Sequence, residues 1–432
     1  MDILLINPPN SGRSIPEERY GIESIKQIFR GEPLALGVLA GNLVDSHQVT
    51  IADLKADSES VNKYLQQKSP DVVGITGMTC EAQAMKKIAA RIRKECSAKV
   101  VVGGIHASSD PEFFNCADID YIVVGLGKQS FRELVDALSQ AENAPAIPGV
   151  AATSPGNKLS YLPRKFSVAD LVDDTPPAYG LVNHYRPEYY LSALKLEMGF
   201  VVTAFGCPFN CAFCCIKNLT GGAYLNHSIE SVIRDIRSLG DIPVIRLLDA
   251  NTFGNLDHAR KLAAAIREAD LNKKFLADVR SDTVVNHPDL MKEWKEAGLK
   301  AVIIGFEEIS DQNLQKMNKS NRVEVNTKSI AILHDLGITI VGDFIISPDY
   351  TEAEFLALGN YIEDNKIDLP MITVMTPLPG TKQYKEMKPL ITEDDLDYYT
   401  LTNAVIPTRL PEHVFYQHYA NLIKSGHQGA QL

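Results

Sequence analysis

The sequence lacks the features of several specialised protein classes. No apolar run approaches the roughly 20 residues that a membrane-spanning helix needs, and neither a low-complexity tract nor an internal repeat is present. Positive charge is scarce relative to negative charge as well. The chain has 43 Lys and Arg but 54 Asp and Glu, which gives a net charge of −11. An acidic chain attracts nucleic acid and anionic membranes poorly, so we expect neither as a partner. No signal peptide precedes the first strand-like run at 2–6, which favours a cytoplasmic protein.

Cysteine is unevenly distributed. Of seven cysteines, Cys80, Cys96 and Cys116 are scattered, four fall within residues 207–215, and none follows Cys215. A disulfide framework is not expected in a reducing compartment. The cysteine-rich segment therefore indicates metal or redox chemistry.

The rest of the composition is that of an ordinary folded protein. The chain has 432 residues, enough for two or three domains at roughly 150 residues each. The apolar fraction of 45% and the charged fraction of 22% are typical of globular proteins, so a sizeable core is expected.

Residues 1–145 alternate between strand and helix patterns. Short apolar runs at 3–6, 49–52, 72–75, 100–102 and 121–124 are separated by helical stretches, which predicts a parallel, doubly wound α/β sheet of the Rossmann-like (flavodoxin-like) type. Ligands bind such sheets outside the carboxyl ends of the strands, and glycine there lets the backbone approach a large flat ligand. The residues at these ends are Asn7, Pro8, Pro9, Thr76, Gly77, Met78, Thr79, Gly103, Gly104, His106, Gly125 and Gly127.

The second half of the chain predicts another α/β domain. Residues 146–195 are proline-rich and are interpreted as a linker. Strand patterns then recur six times between 196 and 388 with helices between them, which predicts a partial TIM-like (β/α)6 barrel with its active site at the strand carboxyl ends. Residues 389–432 are expected to form a short helical C-terminal extension.

Cys207, Cys211 and Cys214 follow the first strand of this barrel at spacings of four and three. Thiolates are soft ligands that suit an iron–sulfur cluster or zinc. Three ligands on a four-iron cluster would leave one iron open to a substrate, whereas a zinc site would need a fourth ligand such as His227. Buried structural cysteines are a third interpretation. Cys215 breaks the spacing and is interpreted as a packing residue.

The cysteine spacing, with Phe213 before the third cysteine, resembles the signature of radical S-adenosylmethionine enzymes. The resemblance implies a 4Fe–4S cluster on Cys207, Cys211 and Cys214. Further segments in the same order resemble that family's S-adenosylmethionine contacts. They carry Asp249 after the second strand, Arg280 and Asp282 after the third, Glu307 after the fourth and Pro379 after the sixth.

The amino-terminal sheet resembles the cobalamin-binding domain fused to many of these enzymes. The resemblance implies cobalamin contacts at the strand-end residues given above and at Glu32, Pro33 and Leu34. Gly125 and Gly127 match a GEGE motif from which the chain departs at Leu126 and Lys128. An Asp-x-His-x-x-Gly motif is absent, so no histidine is expected below cobalt, and His106 is expected as a polar loop residue near the corrin. A flavodoxin-like sheet without a cofactor is the alternative.

The two resemblances together imply a cobalamin-dependent radical C-methyltransferase. A 5′-deoxyadenosyl radical would remove a hydrogen atom from an unactivated carbon, methylcobalamin would supply the methyl group, and a flavodoxin- or ferredoxin-type protein would supply electrons. Residues 30–34 and the Cys214–Cys215 pair are similar to archaeal enzymes that C-methylate a glutamine of methyl-coenzyme M reductase. A protein or peptide substrate is therefore expected.

Other functions remain open at this point. The enzyme could methylate a small molecule or peptide metabolite, or catalyse a cobalamin-dependent cyclisation or rearrangement, and a non-catalytic cobalamin or metal carrier is a further alternative. A methylthiotransferase would hold a second cluster on Cys80, Cys96 and Cys116, but the first strand ends without a cysteine and no basic RNA-binding tail follows. The sequence does not identify a catalytic acid or base. Tyrosines close to the motifs are Tyr20, Tyr185, Tyr189 and Tyr224.

Overall fold

The first sheet has six strands in the order β2-β1-β3-β4-β5-β6. In the computed structural model, which describes residues 1–23, 31–140, 146–191 and 196–428, the first five strands are parallel. Arg30, at the start of segment 30–34, lies outside the described residues. The strands are β1 (Asp2–Asn7), β2 (Gln48–Asp53), β3 (Val72–Thr76), β4 (Lys99–Gly103), β5 (Tyr121–Val123) and β6 (Val150–Ala152). The predicted doubly wound sheet is confirmed. It also has an antiparallel edge strand, β6, which lies within residues 146–195, the stretch interpreted as a linker.

Helices cover both faces of this sheet. Side chains of β1 alternate between two core clusters, with Leu4 and Ile6 in one and Ile3 and Leu5 in the other. Burial on both faces explains why the strands are apolar throughout instead of alternating with polar residues. The helices are α1 (Ile15–Tyr20), α2 (Leu34–Gly41), α3 (Ser60–Leu65), α4 (Ala82–Glu95), α5 (Ile105–Ser109) and α6 (Gly127–Ser139).

The second sheet contains the six parallel strands predicted for the partial barrel. Its order is β15-β14-β13-β12-β11-β8-β7, with β7 antiparallel at one edge, and β9 and β10 form a separate antiparallel pair. The strands are β7 (Tyr190–Leu191), β8 (Leu196–Val201), β9 (Ala204–Phe205), β10 (Leu225–Asn226), β11 (Val244–Leu247), β12 (Lys274–Val279), β13 (Leu299–Glu307), β14 (Thr339–Ile346) and β15 (Leu369–Val374).

Amphipathic helices cross between these strands. In α8, for example, Val232, Ile233 and Ile236 are buried, and the Ser228 hydroxyl accepts a hydrogen bond from the Ser231 amide at the helix start. This N-cap satisfies an amide that has no partner within the helix. The helices are α7 (Lys217–Thr220), α8 (Ile229–Ser238), α9 (Leu256–Glu268), α10 (Ser281–Asn286), α11 (Pro288–Glu296), α12 (Asp311–Lys316), α13 (Val323–Asp335), α14 (Glu352–Asp364), α15 (Lys382–Met387) and α16 (Glu412–Gln428).

The C-terminal extension joins the two halves of the molecule. The Tyr419 hydroxyl of α16 donates to the Ile372 carbonyl of β15 (2.8 Å), so this helix packs on the barrel. The fully buried Asn403 accepts a hydrogen bond from the Ile15 amide (2.8 Å) and donates to the Arg13 carbonyl (2.9 Å). The loop after β1 is therefore fixed to the extension.

The carboxyl-terminal edges of the two sheets lie next to each other. The Phe200 amide of β8 donates to the Glu32 carboxylate (3.1 Å), and the Asn218 side chain donates to the Ser109 hydroxyl at the end of α5 (3.0 Å). One core cluster contains residues of both domains, for example Ile6 and Phe200. Ligands bound at either edge would therefore be neighbours.

Candidate functional site

The cysteine loop occupies the connection between β9 and α7. Gly206, just before Cys207, has φ 85°, and a Cβ atom there would lie 2.0 Å from the Ala223 carbonyl oxygen. Only glycine fits this left-handed, crowded position. It turns the chain so that Cys207, Cys211 and Cys214 follow within one loop.

Two distant segments hold the loop by hydrogen bonds. The Ala212 amide donates to the Met317 carbonyl (2.9 Å), and the Ala212 carbonyl accepts from the Gln383 amide (3.0 Å). The Asn318 side chain donates to the Asn210 carbonyl (2.6 Å). The barrel thus fixes the backbone that carries the thiols, as preorganised metal sites require.

The thiols fit an iron–sulfur cluster chemically. Cys207, Cys211 and Cys214 are half-buried and free of disulfides. Burial raises the pKa of the Cys211 thiol, and it raises that of Cys214 to about 12. The cations Lys319 and Arg280 act in the opposite direction on Cys211 and favour its thiolate, the form that binds iron.

Zinc was the alternative for this loop. Within the described ranges, no three His, Cys, Asp or Glu side chains converge on one point suited to a single ion. Three thiolates of a four-iron cluster bind three different irons, so they need not converge in this way. His227, the fourth ligand considered for zinc, has its Nδ1 against the Asp173 carboxylate and its ring beside Phe205.

Arg280 and Asp282 bind each other beside the loop. Arg280 Nε lies 2.9 Å from Asp282 Oδ1, and the guanidinium stacks 3.6 Å above the ring of Phe209. Arg280 also donates to the Lys319 carbonyl (3.1 Å). The predicted pair is therefore at the site, where it supports the cysteine loop through a cation–π contact.

Glu307 forms a buried ion pair that the sequence did not reveal. Its carboxylate lies 2.6 Å from Lys319 Nζ, and both side chains are buried. Glu307 has φ 63°, at the end of β13 where the pairing with β14 shifts register. Lys319 belongs to no recognised motif, and its role becomes visible only through this contact.

Asp249 differs from the expectation. Its carboxylate accepts hydrogen bonds from the Thr203 amide (2.7 Å), the Thr203 hydroxyl (2.7 Å) and the Ala204 amide (3.0 Å). It therefore fixes the strand that enters the cysteine loop instead of standing open to a ligand. Beside it, Asn251 Nδ2 and Thr252 Oγ1 are buried without a hydrogen-bond partner among the described residues. These unpaired groups would suit a polar ligand.

Phe213 and Pro379 complete the predicted set. Phe213 is half-buried within the cysteine loop, and Pro379 is buried in the segment after β15. The next residue, Gly380, has φ 82°, and a Cβ atom there would lie 2.8 Å from the Ser109 carbonyl oxygen of the first domain. This segment therefore touches both the cysteine loop, through Gln383, and the amino-terminal domain.

A cavity of about 440 Å³ lies at the carboxyl edge of the first sheet. Most of the residues predicted to contact cobalamin line it. They are Asn7, Glu32, Pro33, Leu34, Thr76, Gly77, Met78, Gly103, Gly104, Gly125 and Gly127. The cavity also extends between the sheet and its helices along the apolar residues Leu5, Gly74, Val101 and Phe131.

Four predicted contacts, Pro8, Pro9, Thr79 and His106, are not among the cavity-lining residues. His106 corrects the expectation of a polar loop residue, because it lies in α5, is fully buried and packs against the rings of Phe113 and Phe114 at 5.1 and 5.6 Å. Burial lowers its pKa to about 4, so the imidazole is neutral. The apolar environment of its helix directs this side chain inward.

The opposite wall of the cavity comes from the barrel. Val202, Phe205, Leu219 and Leu248 line it, and Phe205 and Leu219 flank the cysteine loop in the sequence. Leu126, one of the two departures from the GEGE motif, packs with Leu219 in a small core cluster. The cavity and the cysteine loop therefore share a wall.

Buried charged groups surround the cavity. Glu32 lies 3.0 Å from Arg186, and burial raises its pKa to about 7 although Arg186 opposes the shift. Glu81 pairs with Lys55 and accepts the Met78 amide (2.9 Å), which fixes the loop after β3.

Lys128, the second departure from the GEGE motif, holds the linker beside the cavity. Its ammonium donates to the Val172 and Thr175 carbonyls (both 2.8 Å), and burial lowers its pKa to about 8. Asp170 and Leu171, just before Val172, line the cavity. The linker thus supplies part of the cavity wall.

The remaining candidates are spread over the molecule. Tyr20 binds Glu412, and Tyr189 donates to Asp53 (2.8 Å), so both are engaged away from the cysteine loop. The ring of Tyr185 packs against that of His184 at an angle of 43°. Tyr224 donates to the Asn251 carbonyl (2.8 Å), next to the unpaired polar groups.

Cys80, Cys96 and Cys116, considered for a second cluster, are separated along the first domain. Cys80 follows β3 at the carboxyl edge of the sheet. Cys96 follows α4 and lies shortly before the start of β4, at the opposite edge. Cys116 lies after Phe114 and packs against the core. This placement does not favour the methylthiotransferase alternative.

Comparison with known proteins matches both halves of the chain. Residues 27–135 match the B12 binding domain, and residues 201–362 match the radical SAM superfamily. Among the described helices, none has the length and hydropathy to cross a bilayer.

The similarity extends over almost the whole chain. An uncharacterized methyltransferase of Pyrococcus horikoshii is 31% identical over 400 residues, covering 89% of this chain and 83% of that protein. The hopanoid C-3 methylase of Methylococcus capsulatus is 27% identical over 401 residues, covering 90% and 75%. The structure of the radical S-adenosylmethionine methyltransferase TsrM from Kitasatospora setae, with tryptophan substrate and a SAM analog, superposes with a TM-score of 0.71 at 19% identity, covering 98% of this chain and 89% of that one. The chain belongs to the cobalamin-dependent radical S-adenosylmethionine methyltransferases, enzymes that use cobalamin, a 4Fe–4S cluster and S-adenosylmethionine.

Proposed function

We propose that this methyltransferase methylates an unactivated carbon at the junction of its two domains. The observation that carries the proposal is the wall shared by the glycine-rich cavity and the cysteine loop, formed by Phe205 and Leu219. A carbon atom placed at this wall can be close to ligands of both domains at once. Proximity of this kind is what converts separate cofactors into one reaction centre.

The residues that would hold the cofactors follow from their chemistry. When bound, the cluster and S-adenosylmethionine supply a hydrogen-abstracting adenosyl radical and cobalamin supplies the methyl group. Cys207, Cys211 and Cys214 would bind the cluster through thiolates. For S-adenosylmethionine, the charged groups that border the loop would act as contacts. They are Arg280, Asp282, Glu307 and Lys319, with Phe213 and Pro379 as apolar neighbours and Asp249 as the residue that positions the strand.

The chain's contribution beyond binding is to orient groups and exclude water. Val202, Leu248 and Leu171 give the cavity an apolar wall. Such a wall keeps water away from reactive species and preserves the geometry between cofactors. The ion pair of Glu32 with Arg186 fixes the segment that precedes α2, and Lys128 fixes the linker.

The structure also supports a cobalt without a histidine below it. His106 points into the core between Phe113 and Phe114, and it does not line the cavity. The exposed side chain of Met78 and several glycines line the cavity instead, and they would face the bound cofactor. Electron paramagnetic resonance of the cobalt(II) form would test this, because a nitrogen ligand splits the signal, and splitting that changes when the protein's histidines are labelled with 15N would contradict the proposal.

For the substrate, we propose the glutamine of methyl-coenzyme M reductase that the sequence resemblance implies. The support is the similarity at segment 30–34 and at Cys214–Cys215. A small molecule is the second candidate, favoured by the hopanoid methylase and by the tryptophan bound to TsrM.

The decisive experiment uses anaerobically reconstituted protein with cobalamin, reduced flavodoxin as the electron donor and S-adenosylmethionine deuterated on the methyl group. A glutamine-containing peptide from methyl-coenzyme M reductase is the substrate, and the same peptide with alanine in place of glutamine is the control. Deuterated methyl on a glutamine carbon, seen by mass spectrometry, supports the proposal. Deoxyadenosine release without label transfer would instead favour cyclisation or rearrangement, and labelling of both peptides would contradict glutamine as the target.

A further inference from the structure

The outer side of the cysteine loop is bordered by an unusual concentration of positive charge. The loop and the two segments hydrogen-bonded to it span residues 207–217, 316–322 and 382–388. Their exposed charged side chains are six cations and one carboxylate, Glu386. The cations, here named the basic collar, are Lys217, Lys316, Arg322, Lys382, Lys385 and Lys388.

This local charge runs against the character of the whole chain. Over the full sequence, 54 acidic residues outnumber 43 Lys and Arg. Among the residues that the structure describes, Lys382 is the one cation of the basic collar with a carboxylate in ion-pair range, Glu386 at 3.6 Å. Glu324 and Asp110 act on Arg322 and Lys388 through longer-range electrostatic interactions. Much of the charge of the basic collar is therefore left unneutralised. Lys316 and Lys217 instead approach the side-chain oxygens of Asn313 (3.4 Å) and Asn210 (3.3 Å). A positive field on an acidic protein orients an acidic partner.

The tip of the loop is accessible at this face. Pro208 and Asn210, which lie between the first two cysteines, are exposed. Neither lines the cavity, which the loop meets through Phe205 and Leu219. A protein that docks on the basic collar therefore approaches the thiols from outside and leaves the cavity free for cofactor and substrate.

We propose that the basic collar is the docking surface for an acidic electron-transfer protein that carries a reduced flavin or iron–sulfur group. This inference rests on the proposed function, since it assumes a cluster on Cys207, Cys211 and Cys214. One electron leaves the donor, which is oxidised by one electron, and the same electron reduces the cluster, so no atom or further reactant is exchanged. Repulsion between two acidic proteins elsewhere on their surfaces leaves this face as the favoured orientation.

The test compares two double charge reversals in the reconstituted holoenzyme. Lys316→Glu with Lys382→Glu reverses two of the six charges of the basic collar. Lys261→Glu with Lys292→Glu makes the same change in net charge on the exposed faces of α9 and α11. The rate of cluster reduction by reduced flavodoxin is followed by rapid freeze-quench electron paramagnetic resonance of the reduced cluster, and photoreduced deazariboflavin serves as a small uncharged donor.

At low ionic strength, the Lys316/Lys382 variant should be reduced by flavodoxin at least about 10-fold more slowly than wild type. The Lys261/Lys292 variant should stay within about 2-fold, and salt near 0.5 M should remove the difference because the charges are screened. Equal effects of both variants, or no effect of either, would overturn the proposal. A reconstituted protein without iron would instead contradict the proposed function. Normal reduction of both variants by deazariboflavin, together with equal rates of reduction by flavodoxin, would contradict the docking surface alone.

Discussion

The two carboxyl-terminal edges that meet in this molecule differ in chemistry. The edge of the amino-terminal sheet is built from glycines and apolar side chains, such as Gly77, Gly104 and Val101, with charged residues at its margin. The edge of the barrel carries charged groups that pair with one another, such as Glu307 with Lys319 and Arg280 with Asp282. In both domains the ligand site is expected at the carboxyl ends of parallel strands. The two edges nevertheless suit different ligands.

The difference reflects ligand size and charge. A corrin is a broad, flat ring with apolar faces and amide side chains at its rim, so a floor without side chains brings the backbone close to it. S-adenosylmethionine and a cluster carry charges, and charges are bound well where opposite charges are already fixed. Three substitutions would separate the two edges experimentally.

The largest effect is expected at the cysteine loop. Cys211→Ala should remove bound iron and abolish deoxyadenosine formation, while cobalamin binding persists, because the cavity does not include this side chain. Cys215→Ala is the matched control and should retain iron. Iron analysis and the visible spectrum after reconstitution measure both. Full iron content in Cys211→Ala, or loss of iron in Cys215→Ala, would show that the ligand assignment is wrong.

Substitution of Gly104, just after β4, should have the opposite result: cobalamin binding is weakened and iron is retained. Gly104 has φ 95°, and a Cβ atom there would lie 2.4 Å from Thr76 Oγ1. Gly104→Ala should weaken cobalamin binding at least about 10-fold, while iron content stays unchanged. With ψ −166°, Gly104 has a backbone conformation that is essentially restricted to glycine, so alanine there costs roughly 1–3 kcal/mol and the loop must shift.

The neighbouring Gly103 provides the control for this prediction. A Cβ atom at Gly103 would meet Val123 only at 3.6 Å, an ordinary contact. Gly103→Ala should therefore bind cobalamin more tightly than Gly104→Ala, as measured by titration in the visible range. Equal affinities of the two variants for cobalamin would show that the backbone conformation at Gly104 does not shape the cavity.

Much of this comparison could be predicted from the sequence. The strands, the cysteine loop and the glycine-rich strand ends are local patterns, and the family resemblance ordered them correctly. The roles of Asp249 and His106 could not be predicted, because one carboxylate is satisfied by Thr203 and Ala204 and one imidazole is buried by Phe113 and Phe114. Such partners are set by packing between segments and have no local signature.

The third prediction concerns Glu32, at the charged margin of the cavity, and its measured quantity is stability instead of cofactor binding. Burial raises its folded-state pKa from 4.5 to about 7. The folded protein therefore holds the proton more tightly than the unfolded chain between these values. The contribution of Glu32 to stability is full below pH 4.5 and is lost as pH rises through 7, by at most about 3 kcal/mol.

Glu32→Gln keeps this position neutral, so the midpoint of thermal unfolding should fall less between pH 5 and pH 8 than in wild type. The cofactor-free protein is suited to this measurement. Glu112→Gln, at an exposed position, is the control and should follow the wild-type curve. Parallel curves for wild type and Glu32→Gln would show that Arg186 keeps the carboxylate ionised throughout.

The sequence by itself determined the two α/β domains and the loop of three cysteines. It could do so because apolar periodicity and residue spacing act over a few neighbouring positions. Only the tertiary structure decided that Lys319 pairs with Glu307, that Lys128 holds the linker and that Phe205 and Leu219 join the cavity to the cysteine loop. These contacts link residues of different elements or domains, and their partners are chosen by the burial and charge that only the folded chain creates.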